Sequence, residues 1–239
     1  MAMREVAVMA MTHMRSGICM AGLVLTEGSD KSSWVRPVKE RDSLRLGDMT
    51  DAAGRVVEQS DIVRLELVKA RPDPPHTEDW IADLIYHRPV VTGRLEGAAR
   101  AKFLQSHLDP SPQQVLIDHS RSLCLVQPTD LWALFVRDIP SGQYQARLGF
   151  TLMGISAETA GSRGIPVTDL RWRALGRQWL GESGTELRLT GAQLRERAGV
   201  EAFFLALGLS RSFEGGHWPM VVGVHAIPDY NVTINYRTP

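Results

Sequence analysis

Apolar residues in the first part of the chain fall into short runs that polar segments separate. Residues 5–11 (EVAVMAM) and 18–25 (ICMAGLVL) are two such runs, and the polar segment between them contains a glycine. This arrangement predicts a β-hairpin. Residues 33–38 (SWVRPV) predict another strand, in which Pro37 favours a sheet edge or a strand end. Residues 61–68 (DIVRLELV) alternate apolar and polar side chains, as a half-buried strand does.

Prolines and one helical pattern interrupt the strands in the middle of the chain. Residues 71–80 (RPDPPHTEDW) contain three prolines and predict a stiff, extended loop. Residues 94–108 place apolar side chains at helical spacing, so they predict a helix. Residues 121–137 predict two strands that are separated at Pro128.

The second half of the chain returns to strands, with short helices between them. Further strands are predicted over residues 144–154, 202–210 and 218–227. Residues 167–180 predict a strand end and then a helix, with Thr168 or Asp169 as its N-cap. Thr190 and Gln193 have the spacing of a capping box, which predicts a second short helix.

The predicted fold class is therefore mainly β with short helices. Alternating strand and helix units are absent from the pattern, which argues against a doubly wound parallel sheet. The Pro- and Gly-containing segment near residue 140 predicts two domains, residues 1–139 with an inserted helix and residues 140–239. Residues 9–25 and 205–226 also resemble each other, since both place Arg-Ser in a loop between two apolar runs. Such a similarity would suit a duplicated β-barrel.

Composition and charge restrict the class of protein. The 239 residues are 44% hydrophobic and 23% charged, as in an ordinary soluble globular protein. The 27 basic and 27 acidic residues balance, which excludes a uniformly basic nucleic-acid coat. Any contact with nucleic acid must therefore come from a local patch. Lysine occurs only four times, a bias towards arginine that a GC-rich genome explains more readily than selection for phosphate binding.

The cysteines and the hydropathy of the chain indicate a compartment. Cys19 and Cys124 are the only cysteines, and no CxxC motif occurs, so cysteine cannot build a zinc knuckle. Two free thiols fit a reducing cytoplasm. No run of 18 apolar residues is present, so we expect a cytoplasmic protein without a membrane span.

Motifs for catalysis are weak in this sequence. It lacks a phosphate-binding glycine loop, an HExxH motif and a GxSxG motif. His76, Glu78 and Asp79 could hold a divalent metal, although a solvated turn is the commoner meaning of such a cluster. Cys19 is close enough in sequence to His13 to form a nucleophile pair, but an inert, buried cysteine is the favoured interpretation.

Tryptophan and arginine side chains form two patterns that suit nucleic-acid binding. Trp34 and Arg36 lie two apart in a predicted strand and share one face, where a base could stack and a phosphate could bind. A core tryptophan with an arginine at its rim fits this pattern equally well. Trp172 lies between Arg171 and Arg173 in a locally basic stretch, and a helix with a buried tryptophan and a solvated basic face explains it slightly better.

The order of several motifs resembles a known family. Along the chain lie MAMTHMRSGICMAGL, WVRPV, PDPPHTEDW, SLCLVQPTDLW, RLGFTLMG, VTDLRW and FLALGLSRSFEGGHWPMVVGV. This order resembles the dual OB-fold (DuOB) domain family of bacterial proteins over nearly the whole chain. The last hairpin departs from that family's pattern, because His217-Trp218-Pro219-Met220 replaces a lysine-rich step and Gly208-Leu209-Ser210 replaces an SLG step.

The resemblance implies two OB-like β-barrel halves that bind single-stranded or structured RNA or DNA. It also implies a setting in prokaryotic defence or conflict, with a partner protein encoded nearby, no cofactor and no catalysis. The residues expected to contact nucleic acid are Arg15, Trp34, Arg36, Trp80, Trp172, Arg173 and Arg211. Two alternatives stay open. One is a metal-assisted hydrolase or nuclease that uses His76, Glu78 and Asp79, and the other is a protein-interaction or small-ligand sensor module.

Overall fold

The computed structural model of the protein describes residues 2–14, 17–25, 33–152 and 163–236. The chain divides into two compact units. The first unit comprises Met1–His107 and Ser120–Leu123, and the second comprises Leu108–His119 and Cys124–Pro239. The domain division predicted at residues 139 and 140 falls in a hairpin loop inside the second unit.

The first unit is a closed five-stranded barrel. Its elements are β1 (Ala2–Met14), β2 (Gly17–Val24), β3 (Trp34–Val38), a 3₁₀ helix (Leu46–Met49), β4 (Asp61–Ala70), β5 (Asp79–Ala82), β6 (Val90–Arg94) and α1 (Gly97–Ser106). The strands follow the order β1-β2-β3-β5-β4, and β4 pairs back with β1 to close the barrel. Strands β3 and β5 are parallel, whereas the other neighbours are antiparallel. This is the strand plan of an OB barrel, and β6 extends it beyond β4.

The predicted hairpin over residues 5–25 is confirmed, since β1 and β2 are antiparallel and Met14 pairs with Gly17. Pro37 lies at a strand end, one of the two predicted positions, because it is the last but one residue of β3, whereas β3 lies between β2 and β5 and is not an edge strand. The proline is tolerated because β2 pairs with β3 through Trp34 and Val35 only. The backbone N–H of Arg36 binds the carbonyl of Glu78 on the β5 side, so the missing N–H of Pro37 faces the side where the β2 ladder has ended.

The second unit repeats this plan in a more open form. Its elements are α2 (Gln113–Leu116), β7 (Leu123–Val126), β8 (Thr129–Arg137), β9 (Tyr144–Thr151), β10 (Ile165–Pro166), α3 (Leu170–Leu180), β11 (Glu186–Thr190), α4 (Gly191–Ala198), β12 (Ala202–Leu209) and β13 (Pro219–Ile227). Two sheets, β10-β9-β8-β11 and β13-β12-β7, meet at a parallel bridge between Val167 and Val221. As in the first unit, three antiparallel strands, here β8, β9 and β10, precede a helix. A later strand, here β13, then runs parallel to the third of them. The predicted class, mainly β with two OB-like halves, is confirmed.

The similarity between residues 9–25 and 205–226 does not mark equivalent parts of the two barrels. Residues 9–25 form β1 and β2, the first two strands of the first barrel. Residues 205–226 form β12 and β13, and β13 is the strand that corresponds to β5, because it lies parallel to the third strand of its unit. The correspondence between the two units therefore lies in their strand order.

Side-chain caps stabilise the first turns of the two longer helices of the second unit, α3 and α4, as predicted. Asp169 caps α3, because its Oδ1 accepts a hydrogen bond from the backbone N–H of Trp172 at 2.7 Å. Its Oδ2 accepts another from the N–H of Val224 at 2.9 Å, which ties the helix to β13. Thr190 and Gln193 form the predicted capping box at the start of α4. Burial raises the pKa of Asp169 from 3.8 to about 6, although both backbone N–H groups act in the opposite direction.

The raised pKa of Asp169 predicts a pH dependence of stability. Because the folded-state pKa lies above the ordinary value, this group stabilises the fold fully below its unfolded pKa, and that contribution is lost as the pH rises through about 6. The loss amounts to about 3 kcal/mol at most. We expect the free energy of urea unfolding of the wild type, minus that of Asp169→Asn, to fall between pH 4 and pH 7. A difference that stays constant over this range would contradict the prediction.

Candidate nucleic-acid interface

Trp34 and Arg36 lie on one face of β3, as predicted, but only Trp34 is partly open to solvent. Arg36 is only 7% exposed. Its Nε donates to Oδ1 of Asp79 at 2.6 Å, and its second terminal nitrogen lies 3.7 Å from Oε1 of Glu78. The predicted phosphate contact of Arg36 is therefore corrected, because two buried carboxylates already neutralise this guanidinium.

The polar contacts of this buried network occupy two of the three proposed metal ligands, Glu78 and Asp79. Glu78 also accepts a hydrogen bond from the hydroxyl of Ser122. Among the residues that the structure describes, the group of side chains that could hold a metal consists instead of Glu66, Asp83 and His87. The alternative site of His76, Glu78 and Asp79 is therefore not assembled here, since Glu78 and Asp79 form ion pairs with Arg36.

Cys19 also lies on the outer side of the first barrel. Ile18 and Met20 are buried, and the alternation of strand residues turns Cys19 to the opposite side of β2. Cys19 is only half-buried, so the expectation of a fully buried thiol is wrong. Thr12, not His13, is its direct partner across the hairpin.

The remaining predicted contact residues are dispersed. Trp80 is half-buried and pairs with Pro37, so it lies on the side of the sheet opposite to Trp34. Trp172 is fully buried, and its ring packs edge-on against Phe203 with 5.9 Å between the ring centroids. A base cannot stack on Trp172, so that prediction is corrected in favour of a core tryptophan. Arg15 lies outside the described residues.

The outer face of the second barrel carries an aromatic residue that the sequence analysis did not single out. Phe135 of β8 is buried inside the barrel. Trp132 lies three positions earlier on the same strand, so its side chain points to the opposite, outer face, where it is half-buried. Its ring covers Gly149 on the neighbouring strand, where an added Cβ would lie 2.0 Å from the ring. The guanidinium carbon of Arg188 lies 4.1 Å from the centroid of the Trp132 ring. Trp132 and exposed Arg188 therefore form a stacked pair on this face.

Arg147 extends the positive charge of the same face along β9. It lies opposite Leu134 of β8 and points outwards. Its Nε donates to the carbonyl of Arg163, and a terminal nitrogen donates to the carbonyl of Gly164, both at 2.8 Å. These two bonds hold the Arg147 guanidinium in place on the outer face of the sheet.

The loop between β12 and β13 presents a second aromatic group. Trp218 is 54% exposed and Phe213 is 55% exposed. The indole Nε1 of Trp218 donates to the carbonyl of Phe213 at 3.2 Å, and its backbone N–H donates to the hydroxyl of Ser210 at 2.9 Å. Arg211, a predicted contact residue, is exposed in this loop. The loop thus holds an indole ring in a fixed position while leaving its surface open.

The register of the strands places Trp132 and Trp218 in one row. Trp132 pairs with Gly149 of β9. Val167 directly follows β10, the third strand of this barrel, and its parallel bridge with Val221 joins that strand to β13. Extending the register three residues beyond this single bridge, past the ends of β10 and β13, would place Trp218 level with Trp132, three strand spacings or about 14 Å away. Trp218 precedes the buried Val221 by three positions, so it shares the outer face with Trp132.

Both units have the strand plan of OB barrels, which defines the chain as an OB-fold protein. The chain belongs to the dual OB-containing domain family, whose model matches residues 4–224. No curated protein and no solved structure matches the chain. Within the described part of the chain, each helix is too short or too polar to cross a membrane.

Proposed function

We propose that this protein binds single-stranded RNA or DNA on the outer face of its second barrel. The observation that carries the proposal is the row formed by exposed Trp218 and by Trp132 with its stacked Arg188. OB barrels bind strands across the face of their second and third strands and along the loop that precedes their last strand. The row starts on β8, the first strand of this barrel, passes over β9 and the start of β10, the second and third strands, and ends at the loop before β13.

Each side chain of this face has a defined role in the proposal. A base stacks on the open surface of Trp218, and another stacks on the planar guanidinium of Arg188, which the Trp132 ring supports. Arg211 in the adjacent loop supplies positive charge for a phosphate. A chain of zero net charge can bind in this way because the arginines are concentrated locally.

We propose binding without catalysis, because the acids that the hydrolase alternative requires are ion-paired with Arg36. A cytoplasmic location remains a proposal that rests on the two free thiols and the lack of a long apolar run. A role in prokaryotic defence or conflict and a partner protein encoded nearby remain proposals that follow from the family resemblance. The domain limits at residues 139 and 140 also stay a prediction.

Salt dependence of oligonucleotide binding tests the proposed function. We expect a fluorescein-labelled oligothymidylate to bind the wild type less tightly as salt increases, because phosphate contacts release counterions. Arg211→Gln should weaken binding and reduce the slope of log K against log salt by about 1. Arg41→Gln, which removes an exposed arginine of the first unit, is the matched control and should change neither quantity.

Two results would contradict the proposed function. One is an equal slope for Arg211→Gln and the wild type. The other is the absence of binding by the wild type at low salt to any single-stranded RNA or DNA. The second result would favour the protein-interaction or sensor alternative.

A further inference from the structure

Three arginines surround one tyrosine at the end of the second barrel. Arg137 pairs directly with Tyr144 across β8 and β9. Arg173 and Arg177 lie one turn apart on α3, with guanidinium carbons 5.2 and 4.4 Å from the centroid of the Tyr144 ring. An added Cβ at Gly176 would lie 2.3 Å from the tyrosine hydroxyl, so the helix rests directly against this residue. The four polar side chains are half-buried, and each keeps a surface open to solvent.

The positive charges of the three arginines are not balanced by a negative charge within the cluster. Two arginines at positions i and i+4 of a helix repel each other, and α3 contains no acidic residue. Within the residues that the structure describes, neither Arg137 nor Arg173 forms an ion pair with a carboxylate. Burial lowers the pKa of Arg173 and of Arg177, and the positive charge of Arg173 lowers that of Arg177 further. The cluster is therefore a concentration of positive charge, and a bound anion would reduce the repulsion between its arginines.

Two buried donor atoms at the centre of the cluster also lack a hydrogen-bond acceptor among the described residues. The hydroxyl of Tyr144 and Nε of Arg173 are buried and have no hydrogen-bond partner among the described residues. Burial raises the pKa of Tyr144, so this hydroxyl stays protonated and can donate. Buried donors without acceptors are uncommon in native proteins, and each one needs an explanation such as an ion.

We propose that Arg137, Arg173, Arg177 and Tyr144 bind a phosphate group. A phosphate monoester carries close to two negative charges at neutral pH, and its three terminal oxygens accept hydrogen bonds from several donors at once. Planar guanidinium groups match this geometry with paired N–H donors. The site lies on the inner side of the barrel end, apart from the outer row of Trp132 and Trp218, and it does not depend on the proposed nucleic-acid binding. The phosphate comes either from the end of a nucleic-acid strand or from a free nucleotide or phosphate ion.

A thermal-shift experiment with inorganic phosphate tests this site. At matched ionic strength, phosphate in place of chloride should raise the melting temperature of the wild type by roughly 5 °C near saturation. Arg173→Gln should lose this shift, and in phosphate-free buffer it should melt no lower than the wild type because the repulsion is relieved. Tyr144→Phe should reduce the shift, since it removes one donor and keeps the ring. Arg195→Gln, an exposed arginine of α4, is the matched control and should respond as the wild type does.

Two outcomes would overturn the phosphate site. One is a wild type whose melting temperature is the same in phosphate and chloride, and the other is an equal phosphate shift in Arg173→Gln and the wild type. Competition then separates the sources. Preference for a phosphorylated over an unphosphorylated oligonucleotide end identifies a strand terminus, whereas equal competition by a nucleoside monophosphate identifies a free ligand. The inorganic-phosphate measurement contains no oligonucleotide, so its failure is distinguishable from a failure of nucleic-acid binding.

Discussion

Replacing Arg36 by methionine is expected to lower the free energy of unfolding of the first barrel by about 3–5 kcal/mol. The guanidinium of Arg36 lies 2.6 Å from Asp79 and 3.7 Å from Glu78, and Asp79 and Glu78 are only 2% and 6% exposed. Arg36→Met would leave these carboxylates buried without a cation, which costs more than the loss of the ion pair itself. Urea unfolding at neutral pH, followed by circular dichroism, measures the change.

A surface ion pair of the same barrel supplies the control for Arg36. Arg64 lies 3.6 Å from Glu5, and the two side chains are 48% and 44% exposed. Arg64→Met should therefore cost less than about 1 kcal/mol. Asp79→Asn in the Arg36→Met background should recover part of the lost stability, because it removes one uncompensated charge. Equal, small losses for Arg36→Met and Arg64→Met would contradict the buried network.

Removing both tryptophans of the outer row should have the largest effect on binding. Stacking on a side chain contributes about 1–3 kcal/mol per base, so Trp132→Ala combined with Trp218→Ala should weaken oligothymidylate binding by roughly 30-fold to 10⁴-fold. Trp218→Ala removes a stacking surface, and Trp132→Ala removes the support of the Arg188 guanidinium. The salt slope should change little because no charge is removed. Fluorescence anisotropy at several salt concentrations measures both quantities.

An exposed aromatic residue of the first unit gives the matched control for the outer row. Tyr86 is 85% exposed, and Tyr86→Ala should bind the oligonucleotide as the wild type does. Melting curves of all variants establish that the folds are retained, which matters most for half-buried Trp132. If the double tryptophan variant binds like the wild type, or if Tyr86→Ala weakens binding equally, the outer face of the second barrel is not the binding surface.

Local signals in the sequence predicted much of the fold. The hairpin of β1 and β2, the cap of Asp169 and the capping box of Thr190 and Gln193 depend on residues a few positions apart. Sequence spacing is enough to identify such features. The closed strand order of the first barrel depends on pairings between distant segments, and the motif order that resembles the OB-fold family anticipated it.

The candidate site was harder to predict because it depends on contacts between distant parts of the chain. The period of a strand correctly placed Trp34 and Arg36 on one face, but the burial of Arg36 depends on Asp79, 43 positions away. Trp132 acquires its position from Gly149 on the next strand and from Arg188 on β11. Residues 131–135 (LWALF) are all apolar, so the sequence carries no alternation that marks Trp132 as facing away from the core, and only the burial of its neighbours in the structure shows it.

The central claim is that the outer face of the second barrel binds single-stranded nucleic acid. Ultraviolet cross-linking of the wild type to an iodouridine-substituted oligonucleotide, with the linked peptides mapped by mass spectrometry, tests this claim most directly. We expect cross-links in the peptides that contain Trp132 and Trp218, and a large excess of unlabelled oligonucleotide should remove them. Cross-links confined to residues of the first barrel, or an equal yield with and without the competitor, would contradict the claim.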